Sequence, residues 1–96
     1  MTIENIRTEL KDVKLYHSSK DFLDDLKEND LVIRIKVNAE KYDLLMLGAP
    51  ENLFKIYKAL YVEGKTQEKV ALELSYALRT VERLHKKLLE YCAKLL

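Results

Sequence analysis

The sequence predicts an all-α fold: a helical bundle with a C-terminal helix-turn-helix and a long last helix. Three observations carry that expectation. Two glycines and one proline among 96 residues leave little material for tight turns. Apolar residues step by three and four through most of the chain, the spacing of one helical face. The one stretch with a β-like pattern has no visible partner strand, and a lone strand leaves its backbone groups unpaired. A chain of this length forms one domain with a modest core. Residues 1–63 are read as supporting or dimerising helices, and residues 64–96 as the helix-turn-helix with its extended last helix.

In the first helix Ile3, Ile6, Leu10 and Val13 share a face, with Thr2 as N-cap and Glu4 in the first turn. The pattern loosens at "HSSKD", where Ser18 or Ser19 can cap a second piece carrying Phe22, Leu23 and Leu26. One kinked helix and two short ones both fit. Over residues 31–37 Ile33, Ile35 and Val37 alternate like a strand. Val32, Ile35, Ala39, Tyr42 and Met46 also make an unbroken helical step, so the segment is read as helix. Gly48 suits the end of that helix and Pro50 the first turn of the next, which carries Leu53, Ile56, Tyr57 and Leu60. Gly64 ends it, and Thr66 caps the helix after it. Helices then run to the C-terminus, broken once near residues 75–77.

Charge is unevenly spread. Residues 1–63 hold ten Lys/Arg against twelve Asp/Glu, whereas residues 64–96 hold seven against four. The net charge near zero is no signature of a nucleic-acid-directed protein, but the basic excess sits in the C-terminal third. That third contains "TQEKVALELSYALRTVERLHKKL", two short helical patterns with almost nothing between them. A helix-turn-helix needs a small residue at the crossing, aliphatics on both sides and a turn residue tolerant of positive φ. Val70 and Leu74 supply the aliphatics of the first helix, Ala71 the small residue, and Val81 and Leu84 the aliphatics of the second. Ser75 stands where glycine is usual, at some cost in turn stability. Ala77 is a poor N-cap.

These residues resemble a known motif. "TQEKVALELSYALRTVERLHKKLL" is similar to the DNA-reading helix-turn-helix of region four of bacterial sigma factors, and "LYVEGKT" to the helix end and glycine turn that lead into it. From "MTIENIRTELKDVK" to its end the chain resembles the small autolysin-regulator-type transcription factors of Gram-positive phages and prophages. The resemblance implies an all-helical activator that binds a promoter in phage late-gene or host-gene control. Ser75, Ala77 and Leu78 depart from the sigma pattern, so promoter preference does not carry over.

In such a motif the second helix enters the major groove and its N-terminal residues reach base edges. Arg79, Thr80 and Arg83 are the base-reading candidates, since Arg pairs with guanine O6 and N7 and Thr can meet a thymine methyl. Glu82 either accepts from cytosine N4 or pairs with Lys86 one turn on. Lys65, Thr66, Gln67, Lys69, Lys86 and Lys87 are the backbone candidates, because phosphate contacts tolerate flexible side chains and favour helix N-termini. Against this stands the ordinary alternative that Lys and Arg on a helix face are merely solvated. Leu78 is expected to bury against the domain.

Beyond the motif Val81, Leu84, Leu88, Tyr91 and Leu95 continue a heptad step. This extension either packs on the first helix or pairs with a second copy of the chain. The expected partners are therefore double-stranded DNA, with RNA polymerase and a homodimer partner as further candidates. No membrane or small-molecule partner is expected.

No enzyme, cofactor or metal site is expected. His85 and Cys92 lie seven apart, but two ligands make no metal site, and His17 is distant in sequence. Gly48 and Gly64 stand alone and form no phosphate-cradling loop. The acidic residues Asp24, Asp25, Glu28 and Asp30 read as a solvated face. The six tyrosines fall mostly at core spacing, with Tyr76 in the turn as the exception. A single cysteine, no signal-like apolar segment and no stretch of about 20 apolar residues make the cytoplasm the expected location. The rival function is a helical protein-protein interaction module, an adaptor or polymerase-binding protein that does not read DNA.

Overall fold

The computed structural model describes all residues from Met1 to Leu96. Thr2 caps α1 (Ile3–Ser18), its hydroxyl accepting from the Asn5 amide at 3.1 Å. The chain breaks at Ser19 and restarts as α2 (Lys20–Asp25), so the two-piece reading holds. Asn29 caps α3 (Asp30–Leu47), accepting from the Val32 amide at 3.0 Å. Residues 31–37 are helical, and Val32, Ile35, Ala39, Tyr42 and Met46 are all buried. The three-four step prevails over β propensity because it supplies a continuous face to the core.

Gly48 closes α3, and Pro50 is the N-cap of α4 (Glu51–Tyr57), one residue before the first-turn place expected for it. α4 widens into a π-helical turn over Lys58–Val62, where the Glu63 amide donates to the Lys58 carbonyl at 2.8 Å. Gly64 ends the segment at φ +69°, in the left-handed region that favours glycine. α5 (Gln67–Leu74) and α6 (Leu78–Leu95) complete the chain.

The core gathers one face from nearly every helix. Ile6, Leu10 and Val13 of α1 meet Tyr42 and Met46 of α3, Ile56 and Tyr57 of α4, and Val70 of α5. α6 closes this core with Val81, Leu84, Leu88, Leu89 and Cys92, packing on α1, α4 and α5. The extension of the last helix is thus used within the chain. The N-terminal ammonium donates to the Ala93 carbonyl at 3.4 Å, tying the two ends together. Polar contacts lock α1 to α3: Asp12 accepts from Asn38 at 2.9 Å and from Arg34 at 3.1 Å, and Glu9 accepts from Tyr42 at 2.8 Å and Lys41 at 2.7 Å. A small satellite core joins Leu23, Val32 and Ile35, with Tyr16 against it.

Some expected core positions lie outside. Phe22 and Leu26 are exposed, because α2 is too short to present more than Leu23 inward. Tyr91 is half-buried and Leu95 is exposed. Leu95 lies on the same arc as Leu84 and Leu88 but is the last residue of α6, past the end of the core, and Tyr91 lies at the edge of that arc, while Leu89 and Cys92 complete the inner face.

Candidate nucleic-acid interface

Two caps and one turn define the candidate interface. Thr66 caps α5, accepting from the Lys69 amide at 3.2 Å. At the other end Ser75 adopts φ 57° and ψ 37°, the left-handed conformation expected of the glycine position. The Tyr76 amide donates to the Ala71 carbonyl at 2.9 Å and the Ser75 amide to the Leu72 carbonyl at 3.4 Å. This pair of bonds is a Schellman closure, and it satisfies carbonyls that the helix end would otherwise leave open. Tyr76 packs against the core, which gives the turn residue a structural anchor. Ala77 starts α6 without a side-chain cap. The chain therefore has a helix-turn-helix whose turn is Ser75–Ala77.

Relieving Ser75 is a direct test of the turn. Ser75→Gly removes the Cβ cost of the left-handed conformation and is expected to raise stability by up to about 1 kcal/mol. Ser75→Val is expected to lower it by more than that. Urea unfolding of the three proteins checks the order.

Val70, Ala71, Val81 and Leu84 are buried and Leu74 half-buried, so the motif's apolar residues face inward. Arg79, Arg83, Lys86 and Lys87 are exposed. At 100° per residue they fall within an arc of about 100° on the outer face of α6. None of the chain's ion pairs involves any of these four cations. The Glu82–Lys86 pair considered from sequence is not formed. Thr80 is half-buried on the flank of the arc.

The α5 candidates divide. Lys69 is exposed and unpaired beside the helix N-terminus. Lys65 is held by Glu73 and by Glu63 at 3.2 Å; these hydrogen bonds raise the Lys65 pKa, and Lys65 in turn lowers that of Glu73. Thr66 spends its hydroxyl oxygen on the cap, and Gln67 is half-buried with its amide 3.4 Å from His85 Nδ1. Leu78 is 38% exposed at the tip of α6, contrary to the burial expected for it. Tyr76, two residues earlier, is the turn side chain that packs against the core.

Sequence spacing shows no sign of one feature beside the arc. The π-helical turn carries Tyr61 to His85, where its hydroxyl bonds to Nε2 and the two rings stack at 5.9 Å. Gln67 adds the start of α5, so a single imidazole connects α4, α5 and α6. A groove of about 330 Å³ lies alongside, lined by Ile3, Arg7, Gln67, Glu82, His85, Lys86 and Leu89. Burial, and then the charge of Arg7, lower the His85 pKa, so the neutral ring is the favoured form. Burial likewise pushes the Tyr61 hydroxyl up to about 12.

A lowered histidine pKa has a defined pH signature. The unfolded chain takes up the proton near pH 6.5, before the folded one does. The His85 contribution to stability is therefore complete above that pH and is lost as pH falls through the lowered value. Tm is expected to drop between pH 7.5 and 5.5, and His85→Gln is expected to flatten that interval. Thermal unfolding of both proteins at the two pH values checks the sign.

No protein-family model, curated protein or solved structure matches the chain. No helix is long and apolar enough to cross a membrane.

Proposed function

We propose that this chain is a cytoplasmic regulator that binds double-stranded DNA sequence-specifically through its helix-turn-helix. The observation that carries the reading is the unpaired cationic arc of α6, which starts at the tip of the second helix of the motif. Arg79 and Arg83, with Thr80 beside them, read base edges in the major groove. Lys69, Lys86 and Lys87 hold the phosphate backbone and set the register. The mechanism is non-covalent. The general resemblance of the chain to autolysin-regulator-type factors of phages and prophages makes transcription of phage or prophage genes the proposed target, with RNA polymerase as a further partner.

A second reading, a helical protein-interaction module, is favoured by the exposed Leu72 on α5 and Leu78 on α6. Salt separates the two. DNA binding weakens steeply as salt rises because counterions are released, whereas an apolar protein interface does not.

Selection of preferred duplexes from a random pool, followed by competition titrations, tests the assignment of roles. Arg79→Ala and Arg83→Ala are expected to relax sequence preference. Lys86→Ala and Lys87→Ala are expected to weaken binding evenly across sequences and to reduce the salt slope by about 1 each. Four folded variants with unchanged binding would remove α6 as the reading helix.

A further inference from the structure

α3 carries apolar side chains on two faces. One enters the core. On the other, Ile33, Val37, Leu44 and Leu47 stand outward, 44%, 56%, 61% and 72% exposed. With Glu40 between them, residues 33, 37, 40, 44 and 47 follow a four-three-four-three spacing and lie within an arc of about 80° on the helix. That is the spacing of a two-stranded coiled-coil seam, and these side chains stand exposed in the single chain.

The charges beside the seam identify its occupant. Lys36 and Asp43 border one edge, two flanking positions a heptad apart. In an antiparallel pair of α3 helices, Lys36 of each copy lies opposite Asp43 of the other, giving two opposite-charge contacts about the dyad. Within its own chain Lys36 has only long contacts, to Asp24 at 3.7 Å and Glu28 at 3.8 Å. Asp43 accepts from His17 and Tyr57 and keeps part of its carboxylate in solvent. A parallel pair would set Lys36 against Lys41, a like-charge contact. On the second edge the antiparallel pair brings Arg34 towards Lys41, but each is already neutralised by its own α1, through Asp12 at 3.1 Å and Glu9 at 2.7 Å. The antiparallel register that aligns Lys36 with Asp43 also sets Ile33 against Leu44 of the other copy at both ends and Val37 against Glu40 in the two central layers, with Leu47 beyond the paired layers. The antiparallel direction is therefore the self-complementary one.

The geometry points to a two-fold homodimer in which the outer face of α3 packs antiparallel on the same face of a second copy. This interface is separate from the α6 arc and requires no DNA. Its failure would therefore leave the DNA reading standing, and the reverse.

Sedimentation equilibrium of the full chain, with Ile33→Glu and Leu44→Lys variants, tests it. Both substitutions fall at exposed positions, and far-UV circular dichroism checks that each variant folds. The wild type is expected to sediment at twice 11.3 kDa at concentrations of tens of micromolar. Each variant alone is expected to be monomeric. An equimolar mixture of the two is expected to dimerise again. In the mixed dimer the new carboxylate at position 33 of one copy meets the new ammonium at position 44 of the other, while the second Ile33–Leu44 contact stays apolar. A monomeric wild type would overturn the proposal, as would single variants that still dimerise. A mixture that stays monomeric would overturn the antiparallel register.

Discussion

Replacing Arg79, Arg83, Lys86 and Lys87 together with alanine is expected to weaken duplex binding by about 100-fold or more while leaving the fold intact. The four side chains are exposed and take part in no ion pair, so their loss leaves no buried group unsatisfied. Alanine is also the best helix former, which favours α6 in the variant. Two bidentate Arg–guanine pairs account for ~1–3 kcal/mol of discrimination each, and two lysines for phosphate contacts. Affinity should fall on the order of 100-fold or more, and what binding remains should have lost about 2 of its log–log salt slope, one for each lysine. Circular dichroism and anisotropy titrations on one preparation check both halves. A folded variant with the wild-type slope would place the phosphate contacts elsewhere.

Leu88→Ala is the second large effect, and it acts on stability. Leu88 is fully buried where α6 closes the core. Removing such a side chain costs about 2–5 kcal/mol, the transfer loss plus the cavity left behind. A small domain holds only about 5–15 kcal/mol in total, so a substantial part of its stability goes with one residue. Leu95→Ala, seven residues on but 54% exposed, should stay within about 0.5 kcal/mol. Urea unfolding of the pair separates the two. Similar costs at both positions would mean that the last turn of α6 is packed against the core like the turn at Leu88.

Much of this architecture was legible in the sequence because it rests on local chemistry. The helical face through Val32, Ile35, Ala39, Tyr42 and Met46 outweighed the β-branched content of the same segment, since burial rewards periodicity more than propensity. Thr2 and Thr66 were readable as caps because each hydroxyl is placed to accept from an amide three residues on. Ser75 was readable as the left-handed turn position from its place in the motif, although its residue type argues against it.

Other features could not be read because they depend on distant partners or on accumulated geometry. The π-helical turn has no sequence signal of its own. The pairing of Tyr61 with His85 brings together residues 24 apart, which no periodicity reports. Lys65 and Gln67 looked equal to Lys69 as phosphate contacts until Glu73, Glu63 and His85 were placed beside them. The seven-residue step through Leu88 to Leu95 gave no sign that the core ends before Leu95 or that Leu89 and Cys92 widen the inner face. The outward seam of α3 was hidden for a related reason. Ile33 and Val37 looked like part of a strand, and only the folded helix separates them from the core face.

The central claim is that the outer face of α6 binds DNA, and one titration tests it most directly. The full chain would be added to a fluorescent random-sequence duplex at about 50 mM and about 200 mM salt, with anisotropy as the readout. The three phosphate contacts of Lys69, Lys86 and Lys87 predict micromolar-range binding at the lower salt that weakens by about 40-fold at the higher. No binding at the lower salt by a folded protein would contradict the claim, leave the α6 cations as a solvated face and turn the search to protein partners.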